Sequence, residues 1–201
     1  MNVYFRYLIA TALAVVIAMP ALAASSGSYS TVNSSINIGE DSRAGNVDSV
    51  NGSITIGDGS FVRSVDTVNG SIRFGNDVTV DGDVETVNGS IKLQPGCEVG
   101  GYIETVNGGV RVENTRVEGD IETVNGGLRI LDRSEVSGNV VVRKPSNWSF
   151  GKQRKPVRVE IGENVVVRGD LVFEQWVELK LHESAKVGEI IGDRVDTVSG
   201  P

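Results

Sequence analysis

The chain has one cysteine, Cys97, and one histidine, His182, among its 201 residues. A lone cysteine excludes an intrachain disulfide, so the fold must be held by its core and its backbone hydrogen bonds. Beside Pro95-Gly96, Cys97 reads as a small residue near a turn rather than a reactive thiol. A lone histidine, with no second His or Cys at ligand spacing, argues against a zinc site. No metal and no cofactor is implied. No Gly-x-Ser-x-Gly elbow accompanies any serine, so a hydrolase nucleophile has no sequence support. Basic residues are in the minority, with 19 Lys and Arg against 26 Asp and Glu and a net charge of −7. That balance opposes nucleic-acid binding, which rewards clustered cations, and opposes docking on an anionic membrane.

Long apolar runs are also missing, except at the start. Residues 1–23 read as a secretory signal: a short n-region ending at Arg6, an apolar run from Tyr7 to Met19, and Pro20-Ala21-Leu22-Ala23 before the cut. The alternative is an uncleaved anchor, but the run is short for a span of about 20 residues. Export to the periplasm, the cell surface or the medium is therefore expected, with no membrane span after cleavage. Residues 24–29 are expected to be a flexible leader.

What is abundant is one motif. Asp66-Thr67-Val68-Asn69-Gly70-Ser71-Ile72 has close copies around Asn51, Asn88, Asn107 and Asn125, and a worn copy around Asn33. The asparagines fall 18, 18, 19, 19 and 18 residues apart. Fixed-period self-similarity marks a stacked-repeat architecture. The period is too short for a helix pair, and Val, Ile, Thr and Gly favour strands. The expected fold is an all-β, single-domain parallel β-solenoid (β-helix) with 18–19 residues per turn. Asn-Gly between apolar strands is also a hairpin signal, so an antiparallel meander is the rival; it does not require matching strands every 18 residues.

Alternation predicts which side chains face inward. Val68 is expected in, with Thr67 and Asn69 out; Ile72 and Phe74 in, with Arg73 out; then Val78, Val80 and Val84 in. Gly70 and Gly75 are expected to turn corners with positive φ. On the outside, Asp48, Asp66, Glu85, Glu104 and Glu122 form an acidic file, and Thr55, Arg73, Lys92, Arg111 and Arg129 a mostly basic one. The asparagines either form an amide ladder from turn to turn or simply suit the tight corner. Regular solenoid turns are expected over 30–142, a basic aromatic loop over 143–156, and further turns over 157–201. The end, Asp196-Thr197-Val198-Ser199-Gly200-Pro201, reads as a fragment of the motif. Asp81-Gly82-Asp83 and Gly57-Asp58-Gly59 resemble pieces of calcium loops but read better as corners.

The Thr-Val-Asn-Gly-Ser-Ile turns resemble DUF4097-type adhesin repeats of bacterial exported proteins. The stretch from Val167-Arg168-Gly169-Asp170-Leu171 through Val187-Gly188-Glu189-Ile190 is similar to bactofilin turns, which form polymerising β-helices. The resemblance implies a β-helical rod and supplies no catalytic set, though bactofilins are cytoplasmic and the leader here is not. The expected function is non-enzymatic, in envelope structure or adhesion. Its partners would be further copies joined end to end, or an envelope polysaccharide or protein. Two alternatives stand beside it. A flat ligand-binding or ice-binding face would use Thr67, Asn69, Thr86, Asn88, Thr105, Asn107, Thr123 and Asn125. A polysaccharide-active enzyme would use the loop bearing Arg143, Lys144, Trp148, Phe150, Lys152, Arg154 and Lys155, in which Asn147-Trp148-Ser149 is also a glycosylation sequon.

Overall fold

The computed structural model describes residues 27–145 and 155–199. The leader over 1–23 and Trp148, Phe150, Lys152 and Arg154 of the loop lie outside those residues. Among the described residues there is no helix, and every strand pairing is parallel. The strands stack in three sheets of nine, nine and six, each sheet joining strands one turn apart. We call these faces A, B and C. One complete turn runs from Ser64–Asn69 on face A, through Ile72–Phe74 on face B, to Thr79–Val80 on face C. The result is a β-solenoid of about eight turns, and the parallel pairing removes the antiparallel rival.

Register follows the repeat. Val65 lies over Val84, Asp66 over Glu85, Thr67 over Thr86 and Asn69 over Asn88. The chain keeps that register across the insertion: Val140–Val142 stacks on Ile121–Thr123, and Leu128 pairs with Val159. The insertion therefore leaves at the Asn-Gly corner without costing a turn.

The interior is a set of aliphatic columns. Val47, Val65, Val84, Ile103, Ile121, Val140 and Leu171 line it from face A, and Ile54, Ile72, Ile91, Val110, Leu128, Val159 and Leu179 from face B; all are buried. Val62, Val80, Val99, Val117, Val136 and Val167 close it from face C. Each such side chain contributes about 1.5–3 kcal/mol, and none could be covered by its own turn alone. Cys97 sits in this packing, buried, its thiol donating to the Gly75 carbonyl at 3.1 Å. Burial pushes that thiol up to about 11, which makes it a poor nucleophile.

Positive φ recurs from turn to turn, but not at the expected glycines. It falls at Asp41, Gly59, Asp77, Gly96, Asn114, the adjacent pair Asp132 and Arg133, and Asn164, between faces B and C. Gly, Asn and Asp dominate because they tolerate the left-handed region. None of Gly52, Gly70, Gly89, Gly108 or Gly126 takes positive φ; they are glycine for another reason. A Cβ on Gly70 would lie 2.1 Å from the Gly52 carbonyl oxygen, and one on Gly126 would lie 1.8 Å from that of Gly108. The corner is glycine because the turn beneath it is too close for a side chain.

The closing Asp196-Thr197-Val198 belongs to a different phase. It lies on face B, with Thr197 over Leu179, whereas Asp66-Thr67-Val68 lies on face A. It resembles the motif in letters and not in position.

Candidate functional site

Face A carries the motif, and its inside and outside differ from expectation. Thr67, Thr86, Thr105 and Thr123 are buried and point inward. Each donates its hydroxyl to the carbonyl of a corner glycine in the preceding turn: Thr67 to Gly52 at 3.1 Å, Thr86 to Gly70 at 3.0 Å, Thr105 to Gly89 at 3.0 Å and Thr123 to Gly108 at 3.3 Å. A buried hydroxyl needs such a partner, and the stacked corner supplies it. The valines of the same motif therefore face out. Val50, Val68, Val87 and Val106 are half-buried, and Val124 is buried at the end of their stripe.

The asparagines form the ladder. Asn51 donates its amide to Asn33 at 3.0 Å, Asn69 to Asn51 at 2.9 Å, Asn88 to Asn69 at 2.9 Å, Asn107 to Asn88 at 2.8 Å and Asn125 to Asn107 at 3.0 Å. All of these amides are exposed. An Asn88→Ala substitution severs two rungs in the middle, each worth about 0.5–1.5 kcal/mol. The expected outcome is a loss of about 1–2 kcal/mol in urea denaturation, against less than half of that for Asn33→Ala at the end of the ladder. The array proposed for a flat binding face thus keeps its Asn column and loses its Thr column to the core.

Beside the valines stands the acidic file, in register from Asp48 through Asp66, Glu85 and Glu104 to Glu122. All five are half-buried. Stacked one strand apart, about 4.8 Å, like charges repel, and partial burial removes the water that would screen them. Burial, followed by the neighbouring Glu85 and Asp48 carboxylates, pushes Asp66 up to about 8. Burial, followed by Glu122 and Glu85, pushes Glu104 up to about 7, with Arg143 pulling the other way. Burial also raises Asp48 and Glu85, opposed by a hydrogen bond with Asp66 in the first case and by the Tyr102 hydroxyl in the second. Near pH 7 the column is thus a run of mixed carboxyls and carboxylates. It can release protons, take cations, or hold hydrogen-bond donors along its length.

One cation already sits on it. Arg143 stands one place above Val124 in the valine stripe and reaches across to Glu122, Nε to Oε2 at 2.6 Å and Nη2 to Oε1 at 2.7 Å. Its Nη1 lies 3.5 Å from Glu174, and its backbone N–H still bonds Thr123 in the stack at 2.8 Å. Arg143 is therefore part of the rod and not of a projecting loop. The Lys144 backbone N–H donates to Glu174 at 3.1 Å, and Lys155 is exposed.

The other faces differ. The basic file runs down face B, Thr55 over Arg73, Lys92, Arg111 and Arg129, until Glu160 breaks it and pairs with both Arg129 and Lys180. Face C is a mixed surface in which Arg116 lies 3.1 Å from Glu135, and Glu135 also binds Arg168. The aspartates of the calcium-like fragments are corner groups. Asp58 accepts from the Asn76 backbone at 2.8 Å, and Asp83 from the Tyr102 backbone at 3.1 Å. Among the described residues no group of three or more His, Cys, Asp or Glu is placed to hold a metal ion, and no helix is long and apolar enough to cross a membrane. His182 bonds Ser184 within its own turn, Nδ1 to Oγ at 2.8 Å.

Compared with known proteins, the chain matches no family model, no curated protein and no solved structure.

Proposed function

We propose that this chain is a non-enzymatic, exported β-solenoid with a structural, adhesin-like role at the cell envelope, and that its rods join end to end. One observation carries the proposal. Tyr29 and Ile190 occupy inward columns whose next members, Val47 and Leu171, are fully buried, yet they are 48% and 43% exposed. Among the described residues, the stack has more core to offer at each end. Open parallel strand edges with apolar side chains favour pairing with another chain. The reading of residues 1–23 supports export, and the uniform turns suit a spacer.

Sedimentation velocity and negative-stain electron microscopy of the full chain test the assembly. Oligomers that lengthen with concentration are expected, and Ile190→Lys should shorten them. A parent chain that stays monomeric at every concentration would sink the end-to-end reading. Mass spectrometry of the protein recovered from an expressing culture tests export: the expected mature chain begins at Ala24, outside the cytoplasm.

A further inference from the structure

We propose that face A receives face B of a second copy of this chain, flank to flank, so that rods associate side by side. The contact lies on the sides of the rod and does not depend on end-to-end joining.

The argument begins with pitch. The acidic file on face A and the basic file on face B are cut by the same backbone stacking, so both repeat every 4.8 Å or about that. When two rods lie with parallel axes, one comb meets the other in step. Like residues one turn apart repel within a chain; across the two faces the same regularity becomes attraction. The combs lie on different faces of one chain and cannot neutralise each other.

The second step is shape. On face B the basic side chains have small residues on one side, Ser71, Ser90, Gly109 and Gly127, and on the other Gly75 beside Arg73 and Gln94 beside Lys92, so Arg73 stands above small neighbours on both sides. On face A a carboxylate column runs beside a valine column. Lys and Arg lay their aliphatic stems on apolar surface while the charged head stays on a polar partner. A valine stripe next to a carboxylate stripe offers both surfaces at once.

The third step is an example within the chain. Arg143 stands in line with the valines and binds Glu122 through two nitrogens. Among the described residues, Asp48, Asp66, Glu85 and Glu104 form no ion pair of this kind. Arg143 shows how a guanidinium seats beside a carboxylate on this face; of the other four, Asp48 and Asp66 bond each other and Glu85 accepts the Tyr102 hydroxyl, so a cation from a second copy shares those oxygens and meets Glu104 directly. Arg73 and Lys92 are the cations of face B with no ion pair among the described residues, so they can fill it without breaking a bond. Face C is internally paired and offers no comb.

The contact joins two different surfaces, so it is heterologous and can propagate from rod to rod. The acidic file spans five strands, roughly 20 Å, too little for the ~800 Å² per partner of a stable complex. Association is therefore expected at high protein concentration and low salt.

The test uses sedimentation velocity on the full chain in 20 mM and 500 mM NaCl. The parent should associate at low salt and separate at high salt. Glu85→Lys with Glu104→Lys reverses face A, and Arg73→Glu with Lys92→Glu reverses face B. Each double variant alone should associate about tenfold or more weakly, and an equimolar mixture of the two should associate again. Carbodiimide cross-links between Glu85 or Glu104 of one copy and Lys92 of an isotope-labelled copy should appear in the parent. If the lysine variant fails to fold, Glu85→Gln with Glu104→Gln replaces it, again with weaker association expected. Ile190→Lys separates this idea from end-to-end joining, because it should leave the cross-links in place. A parent with no salt-dependent association, variants that associate like the parent, or a mixture of folded variants that stays apart would each overturn the proposal.

Discussion

Gly89→Ala will cost about 3–5 kcal/mol, the range of severe backbone and overpacking substitutions. A Cβ at this position would lie 1.8 Å from the Gly70 carbonyl oxygen and 2.5 Å from its carbon. Both are backbone atoms, and neither can move alone. The Gly70 N–H is bonded to the Asn88 carbonyl at 3.2 Å, and the Gly70 carbonyl accepts the Thr86 hydroxyl. Relief would require parting two turns, which opens the Asn69–Asn88 rung and loosens the columns beneath. Gly39→Ala is the control: its Cβ would meet only the Ser42 hydroxyl, at 3.6 Å, and should change stability by less than about 0.5 kcal/mol. Urea denaturation followed by circular dichroism measures both. Equal effects from the two substitutions would mean that the turns are not packed as closely as described.

Asp66 supplies the second large effect, through pH. Burial and the neighbouring carboxylates push its folded pKa to about 8 from an ordinary value of 3.8, so between roughly pH 4 and 8 the folded chain holds a proton that the unfolded chain has released. Stability then falls as pH rises through that window, and levels off above it. Glu104, at about 7, adds in the same direction. The expected loss between pH 5 and pH 9 is about 2–4 kcal/mol. Asp66→Asn keeps the shape and removes the ionisation, so it should flatten much of the slope and exceed the parent in stability at pH 9 by about 2 kcal/mol. At the acid end the sign reverses. The Arg168 hydrogen bond holds Glu135 below its ordinary value, and its contribution disappears as pH falls. Thermal melts of both proteins from pH 4 to 9 check this. Parallel profiles for parent and variant would show that Asp66 is an ordinary solvated carboxylate.

The architecture was legible because periodicity is a property of the whole chain. Asparagines every 18–19 residues demand stacked turns whatever each corner does, and they admit the amide ladder as one of two readings. The inward faces were less secure. Treating Thr67-Val68-Asn69 as a separate strand centred on Val68 placed the valine inside. The strand in fact runs Ser64–Asn69, and its parity is set by Val65, which puts Thr67 inside with it. The same parity was visible in Val84 and Thr86, two residues apart. Hydrophobicity misled because a threonine with a buried carbonyl partner packs as well as a valine. The corner glycines misled for a related reason: a chain read alone suggests conformational need, whereas the need is for room between neighbouring turns. The acidic file is visible as a pattern, but its raised pKa values are not, because they depend on how far the stack buries each carboxyl and how close it brings the next one. Composition groups Arg143 with the basic loop. Only the stack shows that it continues the valine stripe and caps the carboxylates.

Spin-label distances along one outer column test the stacking most directly. Cys97 is buried and its thiol pKa is raised, so cysteines introduced at exposed positions can be labelled selectively. Thr55, Arg129 and Lys180 lie on a single file of face B, Arg129 four turns and Lys180 six turns from Thr55. At about 4.8 Å per turn, the Thr55–Arg129 pair should lie about 19 Å apart and the Thr55–Lys180 pair about 29 Å apart, apart from the length of the labels. Distances that fail to grow in proportion to the number of turns would contradict the in-register parallel stack.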